Sequence, residues 1–348
     1  MAMEKDNNAG GTLDGLPILL TGLQPTAGIH LGNYLGALQN WVAMQRDHRC
    51  LFFISDMHAI TVPGSGGGQL RKTTMDCAAF YLACGIDPEK SCIFIQSQVF
   101  GHAELAWVLG CLASVGQLER MTQFKDKSGH SGGFIGAGLL YYPILMAADI
   151  LLYNAKRVPV GEDQRQHLEL ARDLAEKFNG TYGAFFNVPE AFVGNVCARV
   201  MSLQNPLVKM SKSDENTMGA LFLMDSNDKI QKKIRTSVTD SEGSIRISAE
   251  KPGISNLLHI FSGISGDSVS ALEERYAGVG YGQFKADIAD AIIEKITPIR
   301  ERFFHLRREE NFLANVLEKG RIHAQGCALS LLDKVYDLVG FQRRFTEE

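Results

Sequence analysis

No CxxC pair occurs in the 348 residues, and the seven cysteines (Cys50, Cys77, Cys84, Cys92, Cys111, Cys197 and Cys327) are odd in number and scattered. A zinc ribbon needs thiolates at short spacing, and a disulfide framework needs an even, clustered set, so neither organises this chain. Reduced, mostly buried thiols in a cytoplasmic protein are expected instead. Long apolar runs are also missing. The strongest candidate, 141–153, is interrupted by Asp149 and falls short of the roughly 20 residues that a membrane-spanning helix needs. Residues 1–15 are polar and glycine-rich with no apolar centre, which excludes a signal peptide and predicts a disordered leader. Positive charge is not in excess either. The formal net charge is −4, so a nucleic-acid partner has to be met by a local basic face.

What is present is the composition of an ordinary globular chain, 45% hydrophobic and 21% charged, long enough for two domains. Over the first two-thirds, short apolar runs alternate with helical patterns. The run 18–22 precedes a helix near 32–46, 50–56 precedes one near 69–84, and 91–97 precedes one near 102–115. Strand, helix, strand in this rhythm predicts a parallel sheet with helices on both faces. Ligands of such a sheet sit at the carboxyl ends of its strands. After Ser213 the texture turns helical, over 225–235, 255–262, 268–276, 284–308 and 311–339, with Pro298 expected to kink or divide the fourth segment.

Two stretches carry chemistry. In TGLQPTAGIHLGNYLGAL (21–38), Gly22, Pro25 and Gly28 break the chain before Leu31, Leu35, Leu38 and Val42 resume helical spacing. His30 and Asn33 stand three apart at the helix entrance, where free backbone N–H groups suit a polyphosphate. Gly32 and Gly36 leave the backbone open to a flat ring or a phosphate. Taken alone the stretch is equally a packing turn, and with no Lys-Ser/Thr after its glycines it is not a P-loop. The second stretch is Lys209-Met210-Ser211-Lys212-Ser213. Its two lysines can clamp a pyrophosphate as charge builds on it, although a bare pair of this kind is usually solvated surface.

Together, PTAGIHLGN after the first strand and KMSKS at the end of the α/β part resemble the two signature motifs of class I aminoacyl-tRNA synthetases. Further stretches are similar to tryptophanyl-tRNA synthetases of the bacterial type. They are DMHAITVP (56–63), GQLERMTQFKDKS (116–128), 142–179, MSLQNPLVKMSKSDEN (201–216), and VTDSEGSIR with KPGISNLL (238–258). The resemblance runs from about residue 19 to about residue 302. The fold it implies is α/β, with a Rossmann-like parallel-sheet catalytic domain bearing the HIGH and KMSKS motifs over 16–215. An all-helical, anticodon-binding domain over 216–310 and C-terminal helices over 311–348 follow.

The residues support this independently. Tyr142, Met146 and Asp149, at i, i+4 and i+7, put an aromatic, a thioether and a carboxylate on one helix face. An indole is a large apolar plate with one N–H donor and no acceptor, which suits a pocket of Met146, Val158 and Val160 with Asp149 as acceptor. On its own, Asp149 reads equally as a buried structural acceptor.

The resemblance implies that Asp149 takes the indole N–H and that Gly22, Gln24, His58, Tyr142 and Gln164 surround the amino acid, the last two at its α-amino group. It implies an ATP site of Gln24, Thr26, His30, Gly32, Asn33, Gly161, Glu162, Asp163, Lys209, Met210, Ser211, Lys212 and Ser213. Within that set His30 and Asn33 meet the triphosphate, Gly32 lies under the adenine, and Asp163 takes a ribose hydroxyl. Asp163 is also the natural N-cap of the helix near Gln164. Lys125, Lys209 and Lys212 are the phosphate-side lysines. His30 stands where many bacterial relatives carry Thr.

The implied reaction joins L-tryptophan to tRNA(Trp) through a tryptophanyl-adenylate, releasing pyrophosphate and AMP. Mg²⁺ accompanies the ATP, with no protein-built metal site, and the implied enzyme is a cytoplasmic homodimer with no membrane or DNA partner. Lys229, Lys232, Lys233 and Arg235, and separately Arg300, Arg302, Arg307 and Arg308, are the expected basic faces for tRNA. Tyrosyl-tRNA synthetase is the nearest rival, and the MAAD (146–149) and GEDQ (161–164) stretches argue against it. A small-molecule adenylyltransferase has no need of the long helical part. A catalytically silent tRNA-binding paralogue does not need His30, Asn33, Lys209, Lys212 and Asp149 intact.

Overall fold

The computed structural model describes residues 12–342 apart from 14–15, 27, 63–64, 126–134, 160, 162–163, 193–198 and 213–215. Most of the expected leader therefore lies outside the described residues. Five parallel strands form the central sheet: β1 (Leu16–Leu23), β2 (Arg49–Ile54), β3 (Cys92–Ile95), β4 (Arg157–Pro159) and β5 (Glu190–Phe192). Their order is β3-β2-β1-β4-β5, with a short strand Thr12–Leu13 antiparallel to the start of β1. The order reverses between β1 and β4. A doubly wound sheet opens its ligand crevice at that point, beyond the carboxyl ends of the two strands.

The strands read as unbroken apolar runs because both faces are covered. Leu19, Cys50, Phe52, Ile54, Ile93 and Ile95 point to one core. Ile18, Leu20, Leu51, Phe53 and Phe94 point to the other. On the first face lie α1 (31–44) and α2 (Gly68–Ala83); on the second lie α3 (Gly101–Gly110), α4 (Ala137–Leu151) and α5 (Arg165–Tyr182). The helix α1 is built of Leu31–Asn33, a π-helical turn Tyr34–Leu38, and Gln39–Met44. Leu31, Leu35 and Leu38 are buried as their spacing predicts, and Val42 is half-buried.

The first core continues without a break into the helical part: α6 (Asn227–Arg235), α7 (Pro252–Ser265), α8 (Val269–Arg275), α9 (Tyr281–Arg308) and α10 (Glu310–Val339). The expected division at Pro298 does not occur, and α9 runs through it. Pro298 and Glu294, four residues earlier, are both exposed, so the strain and the lost bond at the ring fall on the outer side of the helix. Ile292, Ile296, Ile299 and Phe303 keep the inner stripe intact.

Two close approaches fix the helical part. Lys251, 2% exposed, bonds Asp240 Oδ1 at 2.8 Å, Glu242 Oε2 at 2.9 Å and Tyr281 Oη at 3.2 Å, which knots the 238–258 stretch to α9. The final helix, α10, crosses the free edge of β3. Its Gly320 lies so close that a Cβ there would stand 1.8 Å from the Ile93 carbonyl oxygen, and the Cys92 thiol donates to the Gly320 carbonyl at 3.2 Å. An exposed strand edge is a template for mispairing, and α10 covers it. Among the described residues no helix is long and apolar enough to cross a membrane.

Candidate active site

The nucleotide side is built on the turn that leaves β1. Gly28 takes a left-handed conformation (φ +73°), with the Phe222 ring 3.1 Å from where its Cβ would be. Two residues on, His30 caps α1. Its Nδ1 accepts the Asn33 N–H at 3.2 Å, and Asn33 Oδ1 accepts the His30 N–H at 3.4 Å, a reciprocal capping box. The expected pair is thus brought together, with each side chain bonded to the other's backbone. An imidazole whose Nδ1 accepts carries its proton on Nε2. Burial, and then the charges of Lys212 and Lys209, lower the His30 pKa to about 4, so the ring is a neutral N–H donor at physiological pH. Gly32 lies under that ring, its absent Cβ 3.1 Å from the imidazole.

The lysine loop is delivered to this turn by backbone bonds. Leu31 N–H donates to the Leu221 carbonyl at 2.7 Å and Leu223 N–H to the Ile29 carbonyl at 2.9 Å. Within the loop, Met210 N–H donates to the Val200 carbonyl at 3.1 Å, and its side chain, 1% exposed, anchors the segment between the two lysines. Lys212 Nζ donates to the Thr26 hydroxyl, 186 positions earlier, and burial lowers its pKa. Lys209 and half-buried Ser211 flank the anchor. Lys125 is exposed at the end of a helical turn. Gly161 is exposed and Gln24 and Gln164 are half-buried, Gln164 at the N-cap of α5. Val160, Glu162, Asp163 and Ser213 lie outside the described residues.

The other side of the crevice centres on α4. Asp149 is 1% exposed, and three side chains donate to it: Gln96 Nε2 (2.7 Å) and His102 Nδ1 (2.7 Å) to Oδ1, and His58 Nε2 (2.8 Å) to Oδ2. Burial alone would raise its pKa, but the bonds from His102 and His58 hold it below the usual carboxylate value. Tyr142 Oη lies 3.1 Å from Gln123 Oε1 and 2.8 Å from His167 Nε2, and burial raises its pKa to about 12. The His58 and Tyr142 rings meet edge to face at 6.2 Å. Met146, half-buried, and Val158, 4% exposed, supply apolar wall. Gly22 has no room for a side chain, because the Phe53 ring lies over it, 2.6 Å from where its Cβ would be.

Gln96, His102, Tyr153, Gln123 and His167 are absent from the sequence reading. No spacing pattern marks them, and only the bonds to Asp149, His102 and Tyr142 pick them out. The basic faces also need correction. Lys233 is 3% exposed and turns inward, to Asp225 Oδ2 at 2.7 Å and the Ala220 carbonyl at 2.6 Å. Arg300 bonds the Asp225 carbonyl and Asn227 Oδ1, and Arg307 bonds Asp76 Oδ1 at 2.7 Å. Lys229, Lys232, Arg235, Arg302 and Arg308 remain on the surface.

The family described as tRNA synthetases class I (W and Y) matches residues 15–296. The tryptophan–tRNA ligase of Clostridium tetani is 48% identical over 94% of this chain and 97% of its own length; that of Listeria monocytogenes is 50% identical over 94% and 98%. Among solved structures, the tryptophanyl-tRNA synthetase of Mycoplasma pneumoniae superposes with a TM-score of 0.86 at 34% identity, covering 93% of this chain and 98% of that one. The Campylobacter jejuni enzyme, complexed with ADP and tryptophan, gives 0.80 at 35% identity over 93% and 100%. Matches of this extent, on a sheet whose order already places the crevice, leave one assignment: the chain belongs to the class I tRNA synthetases (W and Y).

Proposed function

We propose that the chain joins L-tryptophan to tRNA(Trp) with ATP, through a tryptophanyl-adenylate. The observation that carries this is Asp149, a buried carboxylate kept ionised beside an apolar helix face, across the crevice from a capped histidine and a lysine pair. A tryptophan carboxylate oxygen attacks the α-phosphorus and pyrophosphate leaves. The 2′-hydroxyl of the terminal adenosine then attacks the acyl carbon and AMP leaves. Neither step needs a side-chain nucleophile; positioning and charge stabilisation suffice.

The roles divide as follows. Three donors occupy Asp149, and a carboxylate has about four acceptor positions, so one lone pair is left for the indole N–H. Met146, Val158 and Val160 hold the ring plane, with Gly22, Gln24 and His58 around it. Tyr142, whose Oη lies beside Gln123 and His167, and Gln164 meet the α-ammonium. His30 offers its Nε2–H to the triphosphate, next to Asn33, and Lys125, Lys209 and Lys212 meet the phosphates as charge builds on the leaving group. Gly161, Glu162, Asp163 and Ser213 serve the nucleoside end, with Thr26 and Gly32 by the turn. Mg²⁺ enters as part of the ATP substrate. The cationic lining suits phosphates that bring their own ion.

The helical part, 216–310, meets the anticodon end of the tRNA, where the exposed Lys229, Lys232, Arg235, Arg302 and Arg308 supply the basic contacts. The protein works in the cytoplasm, in keeping with the free thiols of Cys50, Cys77, Cys84, Cys92, Cys111 and Cys327. One two-stage experiment tests this reading. ATP–pyrophosphate exchange is expected with tryptophan alone of the amino acids, and charging of tRNA(Trp) is expected to fall sharply when the anticodon is altered. Exchange with tyrosine overturns the substrate assignment, and equal charging overturns the anticodon role.

The enzyme is a homodimer. Val115, 61% exposed, lines an apolar groove of about 460 Å³ with Gly110, Ala113, Leu140 and Tyr141, and Trp107, on the same helix as Gly110, is 67% exposed. Exposed apolar surface of this kind marks an association face, and a second copy covers it. Light scattering is expected to give twice the protomer mass, and Trp107→Glu to give the protomer. A wild-type monomer at micromolar concentration excludes the dimer.

A further inference from the structure

Gln96 and His102 both occupy Oδ1 of Asp149, whereas Oδ2 receives only His58 among the described residues. Gln96 and His102 are both 0% exposed. Behind His102, the Tyr153 hydroxyl lies 3.0 Å from Nε2 of the same ring. An imidazole that donates Nδ1–H to a carboxylate presents a bare Nε2, and the Tyr153 O–H that donates there locks this tautomer. The ring is boxed by Phe53, Phe94 and Tyr153, with centroids 6.1, 6.0 and 5.6 Å away. It cannot rotate without displacing the core of β2 and β3. A merely space-filling residue would need neither the carboxylate on one side nor the hydroxyl on the other.

We propose that His102, backed by Tyr153, is a positioning residue for tryptophan specificity: it holds Oδ1 of Asp149 so that one lone pair on Oδ2 is the only acceptor offered to the ligand. This rests on the reading in which Asp149 receives the indole N–H. A carboxylate with both oxygens open accepts donors from several directions. With Oδ1 doubly occupied it accepts one donor from one direction, which selects a rigid ring bearing a single N–H. An isostere without that hydrogen leaves the buried lone pair unpaired, the kind of loss that gives strong discrimination.

The test is ATP–pyrophosphate exchange with L-tryptophan and with the analogue in which sulfur replaces the indole N–H. The quantity read is the ratio of the two kcat/KM values. His102→Leu is expected to lower that ratio at least about tenfold by raising KM for tryptophan, with the sulfur analogue changed less than about threefold. His102→Asn, whose amide nitrogen stands where Nδ1 stood, is expected to keep most of the ratio; His102→Gln, with its nitrogen at the Nε2 position, is not. Tyr153→Phe removes one oxygen and is expected to lower the ratio by a smaller factor, which decides the matter even where His102→Leu does not fold. Parallel loss with both substrates, or an unchanged ratio in Tyr153→Phe, overturns the proposal. A wild-type ratio near one, or a wild-type ratio in Asp149→Asn, instead removes the Asp149 reading and the proposal with it.

Discussion

Replacing Lys212 by Ala is expected to slow adenylate formation by about 10²- to 10³-fold, the scale of losing one preorganised partner of developing charge. Tryptophan binding is expected to stay within about threefold, because the Asp149 side of the crevice is untouched. Lys212 is brought to the β1 turn by the backbone bonds between 221–223 and 29–31, and its amine is held by Thr26. It is partly stripped of water, since burial is the main cause of its lowered pKa. A charge in that setting interacts more strongly with a phosphate than one in bulk solvent. Pyrophosphate carries its greatest charge as it leaves, so most of this interaction belongs to the transition state. Exchange kinetics together with calorimetric tryptophan binding separate the two quantities. Equal losses in both would assign Lys212 to uniform binding and exclude the transition-state role.

The largest effect on stability is expected at Lys233, where replacement by Met costs about 3–5 kcal/mol because it leaves a buried carboxylate with only the exposed, more distant Lys229, 3.5 Å from Oδ1, as its cation. Asp225 is 5% exposed. It receives Lys233 at 2.7 Å and the Phe222 N–H at 2.9 Å, while Lys233 also donates to the Ala220 carbonyl and sits 5.3 Å from the Phe222 ring centroid. These contacts close the 220–225 turn, which carries the lysine loop back to His30. Urea unfolding is expected to show a lower midpoint at unchanged slope. Adding Asp225→Asn to Lys233→Met is expected to recover part of the loss, since no charge is then buried and an acceptor for Phe222 N–H remains. A double variant less stable than Lys233→Met would show that the charge is not what costs.

Much of the site was legible because it is local. The strands were visible as apolar runs and the helices as leucines at helical spacing. His30 and Asn33 were readable as neighbours because three positions along a helix entrance is a short distance in space. Tyr142, Met146 and Asp149 were readable for the same reason, one turn apart on α4. The helix is not divided at Pro298, because sequence shows a proline but not which way it faces. The tRNA-facing assignment of Lys233 failed similarly: a basic helix pattern does not say which lysine turns toward an Asp.

By itself the sequence determined the strand–helix alternation, the turn that ends β1, the lysine loop and the apolar face of α4, since each depends on φ/ψ preference and side-chain period over a few residues. Only the tertiary structure decided which groups fill Asp149, since His102 and His58 lie 47 and 91 positions from it, and that Lys212 rests on Thr26 across 186. It likewise decided that α10 seals the β3 edge at Gly320. Hydrogen-bond partners and burial are properties of what the chain brings together from a distance, and no local period in the residues encodes them.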